Sequence, residues 1–183
     1  LVDRGLATWV PVLGREAVIV FFVLSGFLIM YSVDQKHATL GDYVVARCAR
    51  IYSVALPVVI AAFVIAALVL AYSGGTVNGA YQVARAYLYI PFHLMFMGEF
   101  WNLNETPPWV MPYWSLGYEV WFYAMFGAAY YLRGGRRMLV VGTIFLLVGF
   151  KLWLLIPVWL SGAALYKWTR AKSIPVGWAR AGW

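Results

Sequence analysis

Apolar residues in this chain come in long blocks separated by polar stretches, which is how membrane helices read. The first block, Ala17 to Val33, is 17 residues, or about 26 Å of helix, just enough to span. Asp34 to Arg50 is polar and basic, and predicts a cytoplasmic loop leading into an amphipathic turn. Ser53 to Tyr72 is the clearest span, with Pro57 in its first turns, where a missing amide hydrogen bond costs least. Gln82 to Gly98 contains Arg85, Pro91 and His93. The stretches on both sides of it, 73–79 and 99–112, carry no Lys or Arg and read as external. A segment with two external flanks cannot cross once, so a re-entrant or interfacial course is predicted. Trp114 to Leu132 then runs inward to the basic turn at Arg133, Arg136 and Arg137. Met138 to Trp168, interrupted by Pro157, predicts two short helices that go out and return, and the tail from Thr169 is polar and basic. The expected fold is an all-α integral membrane protein. It is a polytopic helix bundle with four to six membrane segments, forming one unit over 1–183 that is incomplete at both ends.

Composition agrees. The chain is 64% hydrophobic and only 11% charged, which leaves too little polar surface to cover a soluble core. The net charge of +7 sits mainly at the ends of apolar blocks and on no single amphipathic face. That is the positive-inside distribution, and its partners are anionic membrane lipids, not nucleic acid. Cys48 is the only cysteine, so neither an intrachain disulfide nor a multi-cysteine metal site is expected. No basic start region precedes the first block, so a cleavable signal peptide is not expected, and the chain begins at Leu1 without an initiator Met. The expectation is a piece of a longer protein.

The candidate chemistry lies in a few polar groups on apolar segments. Glu119 is the only charged residue between Thr106 and Leu132. An ionised carboxylate is costly in hydrocarbon and persists where it faces a protein interior, a wet cavity or a partner. Ser115, four residues earlier, shares its helix face, and Tyr118 and Tyr123 can supply hydroxyls. Glu119 could be a general base, the orienting partner of one, or half of a buried ion pair with an arginine. Arg47 and Arg50 are three apart on one face, with Tyr43 a turn earlier. Their forked donors suit phosphate oxygens, and equally lipid headgroups at the membrane rim. Ser25 and Gly26 form a small-residue notch for close helix packing, with a substrate-facing hydroxyl as the alternative. His93 among apolar neighbours reads as a structural group and His37 as a solvated one; two histidines without partners make no metal site. Serine-hydrolase, nucleotide-loop and zinc-protease signatures are absent.

Three stretches, in order, resemble the acyltransferase-3 family of integral membrane O-acyltransferases. Gly14 to Ile29, GREAVIVFFVLSGFLI, is similar to that family's second helix with its FFVxSGFLI core. Ala46 to Pro57, ARCARIYSVALP, is similar to its basic RxxRI element, and Trp114 to Tyr123, WSLGYEVWFY, to its WSLxxE block. Ile156 to Tyr166 fits a later helix more loosely.

The resemblance implies a bundle of about ten helices in a bacterial inner membrane. It also implies transfer of an acyl group, often acetyl from acyl-CoA, to a hydroxyl of a glycan or small-molecule acceptor. Arg47 and Arg50 match the family's cytoplasmic-side arginines, which favours donor phosphate over lipid anchoring. Glu119 matches the acid of the WSLxxE block, and Ser25 and Gly26 match the SG pair. The chain departs from the pattern in three ways. The family's catalytic histidine lies upstream of anything present, and neither His37 nor His93 takes its place. Val120 stands where many relatives have a second acid, and Ser53 where a proline follows the RxxRI element. The expected function is therefore membrane O-acyl transfer by a longer parent, with this stretch inactive alone. The alternative is a non-enzymatic transport or structural membrane module, since transporters also place acids at mid-membrane.

Overall fold

The computed structural model describes residues 4–36, 39–73 and 79–172. Among these the chain is all helical, in seven helices: α1 (Arg4–Lys36), α2 (Leu40–Ser73), α3 (Ala80–Ala84), α4 (Ala86–Leu94), α5 (Tyr113–Tyr131), α6 (Gly134–Val148) and α7 (Phe150–Ala171). Two of them, over Glu16–Gln35 and Leu40–Tyr72, are long and apolar enough to cross a membrane. Their outward faces leave Leu24, Leu28, Val64, Ile65 and Leu68 about half exposed.

The predicted loop over Asp34 to Arg50 is instead mostly helix: α1 runs on to Lys36 and α2 starts at Leu40. The local cause is a capping box. The Asp42 amide donates to Thr39 Oγ1 (3.2 Å), while the Thr39 amide and hydroxyl donate to Asp42 Oδ2 (3.1 and 2.7 Å). Arg47 and Arg50 therefore sit on a rigid helix of 34 residues, about 50 Å long, and Pro57 lies inside it. His37 lies outside the described residues, as does most of the 73–79 stretch and the tail beyond Lys172.

The segment from Gln82 to Gly98 is broken into α3 and α4 at Arg85. With nine residues, or about 14 Å, α4 is too short to cross a bilayer. The break in the next apolar stretch is at Gly149, not at Pro157, which lies inside α7. Gly149 has φ 85°, and a Cβ there would stand 2.9 Å from the Trp101 ring, so the turn excludes a side chain on both counts.

The described residues fall into two compact units, 4–36 with 155–172, and 39–73 with 79–154. In the first, α1 and the later part of α7 touch backbone to backbone. A Cβ on Gly26 would lie 2.0 Å from the Trp159 carbonyl oxygen, and one on Gly162 would lie 1.8 Å from that of Val23. Trp159 Nε1 donates to Ser25 Oγ (3.3 Å), and the Phe27 and Tyr31 rings pack edge-on against Tyr166. Beyond that crossing, the Tyr166 hydroxyl donates to Asp34 (2.6 Å) and Arg170 pairs with the same carboxylate. Gly162→Val meets main chain, which cannot yield as a flexible side chain would. It should cost about 3 kcal/mol, read as a lowered unfolding midpoint in detergent.

In the second unit, α2 packs against α3, α4 and α5, and α5 packs against α6. The loop before α5 is held in strained form: Phe96, Trp101 and Trp109 have φ 56°, 51° and 60°, a region bulky residues rarely adopt. Specific bonds hold it there. Trp121 Nε1 donates to the Phe96 carbonyl and the Trp101 amide to the Val148 carbonyl, both at 3.0 Å. Lys151, in the first turn of α7, pairs with the buried Glu99 carboxylate at 3.1 Å and also donates to the Leu103 carbonyl. Lys151→Met would leave Glu99 as an uncompensated buried charge and should cost roughly 2 kcal/mol. Adding Glu99→Gln should recover most of that loss, read by comparing the unfolding midpoints of the single and double variants.

Candidate functional site

The side chains singled out around Glu119 and Arg47 converge where α2 crosses α5. Glu119 is 3% exposed, and it faces inward because Tyr118, Phe122 and Tyr123 bury the same side of α5. Tyr123, one turn on, donates its hydroxyl to Glu119 Oε1. From α2, Tyr43 donates its hydroxyl to the Tyr123 carbonyl (2.9 Å), and Arg47 lies over both rings, 5.7 Å from the Tyr43 centroid and 5.3 Å from that of Tyr123. Gly127 makes this approach possible, since a Cβ there would stand 2.8 Å from the Tyr43 ring. The result is a connected set, Arg47–Tyr123–Glu119, with Tyr43 bracing it.

The geometry has chemical consequences. A guanidinium within about 6 Å of an aromatic ring centroid is attracted by the ring's negative face, so both tyrosines favour the Arg47 charge where it sits. A carboxylate that accepts a tyrosine hydroxyl is fixed in orientation. The set joins a cation on α2 to a carboxylate on α5 by way of Tyr123.

Not every expected residue joins it. Arg50 is exposed, and its carbonyl accepts from Ser53 Oγ (2.8 Å), so the arginine pair parts in burial despite sharing a helix. Ser115 donates to the Pro112 carbonyl (2.9 Å) within the first turn of α5 instead of turning to Glu119. Ser25 and Gly26 belong to the other compact unit, at the α1–α7 crossing. His93 is fully buried and its Nε2 lies 3.1 Å from Gln82 Oε1. Among the described residues no group of three or more His, Cys, Asp or Glu could hold a metal ion.

Two polar clusters escaped the sequence reading. In one, Glu99 Oε2 accepts from both Lys151 and the Tyr118 hydroxyl, each at 3.1 Å. A lysine in an apolar block is itself a signal that a buried acid is near, and Lys151 offered it. In the other, Glu105 Oε2 accepts from the Tyr81 hydroxyl (2.6 Å) and from Gln82 Nε2 (2.9 Å), and that bond raises the Tyr81 pKa above its ordinary value. No spacing pattern links residues so far apart in sequence.

Comparison with known proteins agrees with the sequence motifs. The acyltransferase domain of the acyltransferase-3 type matches residues 3–174. The exopolysaccharide production protein ExoZ of Rhizobium meliloti (strain 1021) is 29% identical over 145 residues, which cover 73% of this chain and 40% of ExoZ. The chain thus spans less than half the length of that relative. No solved structure matches significantly. With the family pattern covering nearly the whole chain, the protein belongs to the acyltransferase-3 family.

Proposed function

We propose that the parent protein is a multi-pass bacterial inner-membrane O-acyltransferase. It would move an acyl group, in the first instance acetyl, from acyl-CoA to a hydroxyl of a carbohydrate or other cell-envelope acceptor. The observation that carries this reading is the Arg47–Tyr123–Glu119 set, inside a chain whose family is that of acyl-transferring proteins. Arg47 stands at the end of the span that the charge pattern assigns to the cytoplasm, where a CoA phosphate would arrive. Exposed Arg50, one turn on, offers a second cation to the same donor at the rim. Glu119 accepts the Tyr123 hydroxyl, which suits an orienting and charge-stabilising role. The base that removes the acceptor proton would be the histidine that the family resemblance puts upstream of these residues. The alkoxide oxygen then bonds the thioester carbonyl, the carbon–sulfur bond breaks, and CoA leaves as the thiol after taking up the proton. ExoZ, by its name, acts in exopolysaccharide production, which supports a carbohydrate acceptor.

The test is acetyl transfer from radiolabelled acetyl-CoA to membrane glycans by the full-length gene product. The Arg47→Ala, Arg50→Ala double variant should lose incorporation while retaining expression. Glu119→Gln, which keeps the shape and removes the charge, should lower transfer at least about a hundredfold. Wild-type turnover in the glutamine variant would remove Glu119 from the mechanism. A well-expressed parent that incorporates no label from any of several acyl-CoA donors would leave the membrane-transport reading in front.

A further inference from the structure

Glu105 lies on the loop that the charge pattern places outside the membrane, and it borders two open clefts of opposite character. The first, of about 170 Å³, is polar and is lined by Tyr81, Gln82, Asn104, Glu105, Pro108 and Trp109. The second, of about 410 Å³, is walled by Leu88, Tyr89, Phe92 and Leu103, with Arg85 and Glu105 as its charged members.

The polar cleft is built rather than incidental. Glu105 Oε2 accepts from Tyr81 and Gln82, and Gln82 also donates to the Thr106 carbonyl (3.2 Å). These bonds fix the Gln82 amide so that its Oε1 accepts from His93 Nε2. Gln82 and His93 are 3% and 1% exposed, so the support of the carboxylate is anchored in the interior, and Tyr113 fastens the His93 carbonyl from α5 (2.8 Å). Glu105 Oε1 takes no hydrogen bond from any described residue and remains available as an acceptor. Asn104 and Trp109 line the same cleft, and Trp109 is half exposed. A carboxylate oxygen, an amide and an indole face together suit a molecule with several hydroxyls and an apolar C–H face.

The second cleft fits a different chemistry. Its walls are aliphatic and aromatic, and Arg85 sits at the break between α3 and α4 with its cation exposed. Such a pair takes a hydrocarbon chain that begins at an anionic group. Glu105 lines both clefts, which therefore lie side by side. We propose that the two clefts together hold the acyl acceptor as a lipid-linked sugar. Its hydroxylated head lies in the polar cleft against Glu105, its anionic link at Arg85 and its first hydrocarbon units along Leu88, Tyr89, Phe92 and Leu103. This rests on the acyltransferase reading for the ligand's role, but the binding itself needs no acyl donor.

Binding is therefore the test. The full-length gene product in nanodiscs is titrated, without acyl-CoA, with polyprenyl-diphosphate-linked glucose, with maltotriose and with polyprenyl diphosphate bearing no sugar. The linked glucose should bind at least about tenfold tighter than either of the others. Glu105→Gln should remove most of that advantage over the sugarless lipid, while any change in the sugarless lipid itself should be a gain from the lost repulsion. Arg85→Gln should weaken both lipids about tenfold and leave maltotriose unchanged. Equal binding of linked and sugarless lipid would reduce the site to a lipid groove and overturn the proposal, as would equal binding of linked and free sugar. Indifference of the linked glucose to both substitutions would overturn it as well. Label transfer measured on the same preparations separates the two readings. Transfer that needs Arg47, without preferred binding of linked glucose, removes this proposal alone. Preferred binding without transfer from any donor removes the acyltransferase reading instead.

Discussion

A carboxylate buried among aromatic residues on α5 is the constraint around which the second unit is arranged. Glu119 is far too costly to leave ionised without partners, and the surroundings answer that cost in sequence. Tyr123 donates to it, Arg47 lies over Tyr123, and Tyr43 ties α2 to the α5 backbone. Gly127 must be small for Tyr43 to fit, and α2 must be helical as early as Leu40 for Tyr43 and Arg47 to arrive on one face. The capping box at Thr39 and Asp42 is thus coupled to the site by way of the helix it begins.

Around this centre the unit uses two further acids and a lysine as fasteners. Glu99 and Lys151 join the strained loop to the start of α7, and Glu105 gathers Tyr81 and Gln82 at the other end of that loop. Three aromatic residues with left-handed backbone lie in or beside this loop, each an expense that a mere connection would avoid. Strain of that kind is sustained where the surrounding contacts over-determine the conformation, as the Trp101–Gly149 contact and the Phe96–Trp121 bond do here.

Much of this was legible in the sequence, for physical reasons that also mark where legibility ended. Long apolar blocks announced the helices, and an isolated acid in one of them announced Glu119. The small pair at Ser25 and Gly26 announced a close crossing, although only the structure gives its partner on α7. Polarity misled at Asp34 to Arg50, where charge was read as loop although Thr39 and Asp42 carry a helix-start signal at the correct spacing. Pro157 was given more weight than it bears, because a proline costs a helix one hydrogen bond while Gly149 supplies a backbone angle that ends one, and Pro57, expected in the first turns of a span, lies in the interior of α2. The Glu99 and Glu105 clusters join residues up to 52 positions apart, and no local periodicity encodes them.

The central claim is that Arg47, Tyr123 and Glu119 act as one unit, and a double-mutant cycle on acyl transfer tests it most directly. Rates are compared for Arg47→Lys, Tyr123→Phe and the two combined, in the full-length gene product. Members of one unit lose their shared contribution once, so the double variant should be scarcely slower than the worse single one. A double variant slowed by the product of the two single factors would mean that the residues act independently, and would contradict the account.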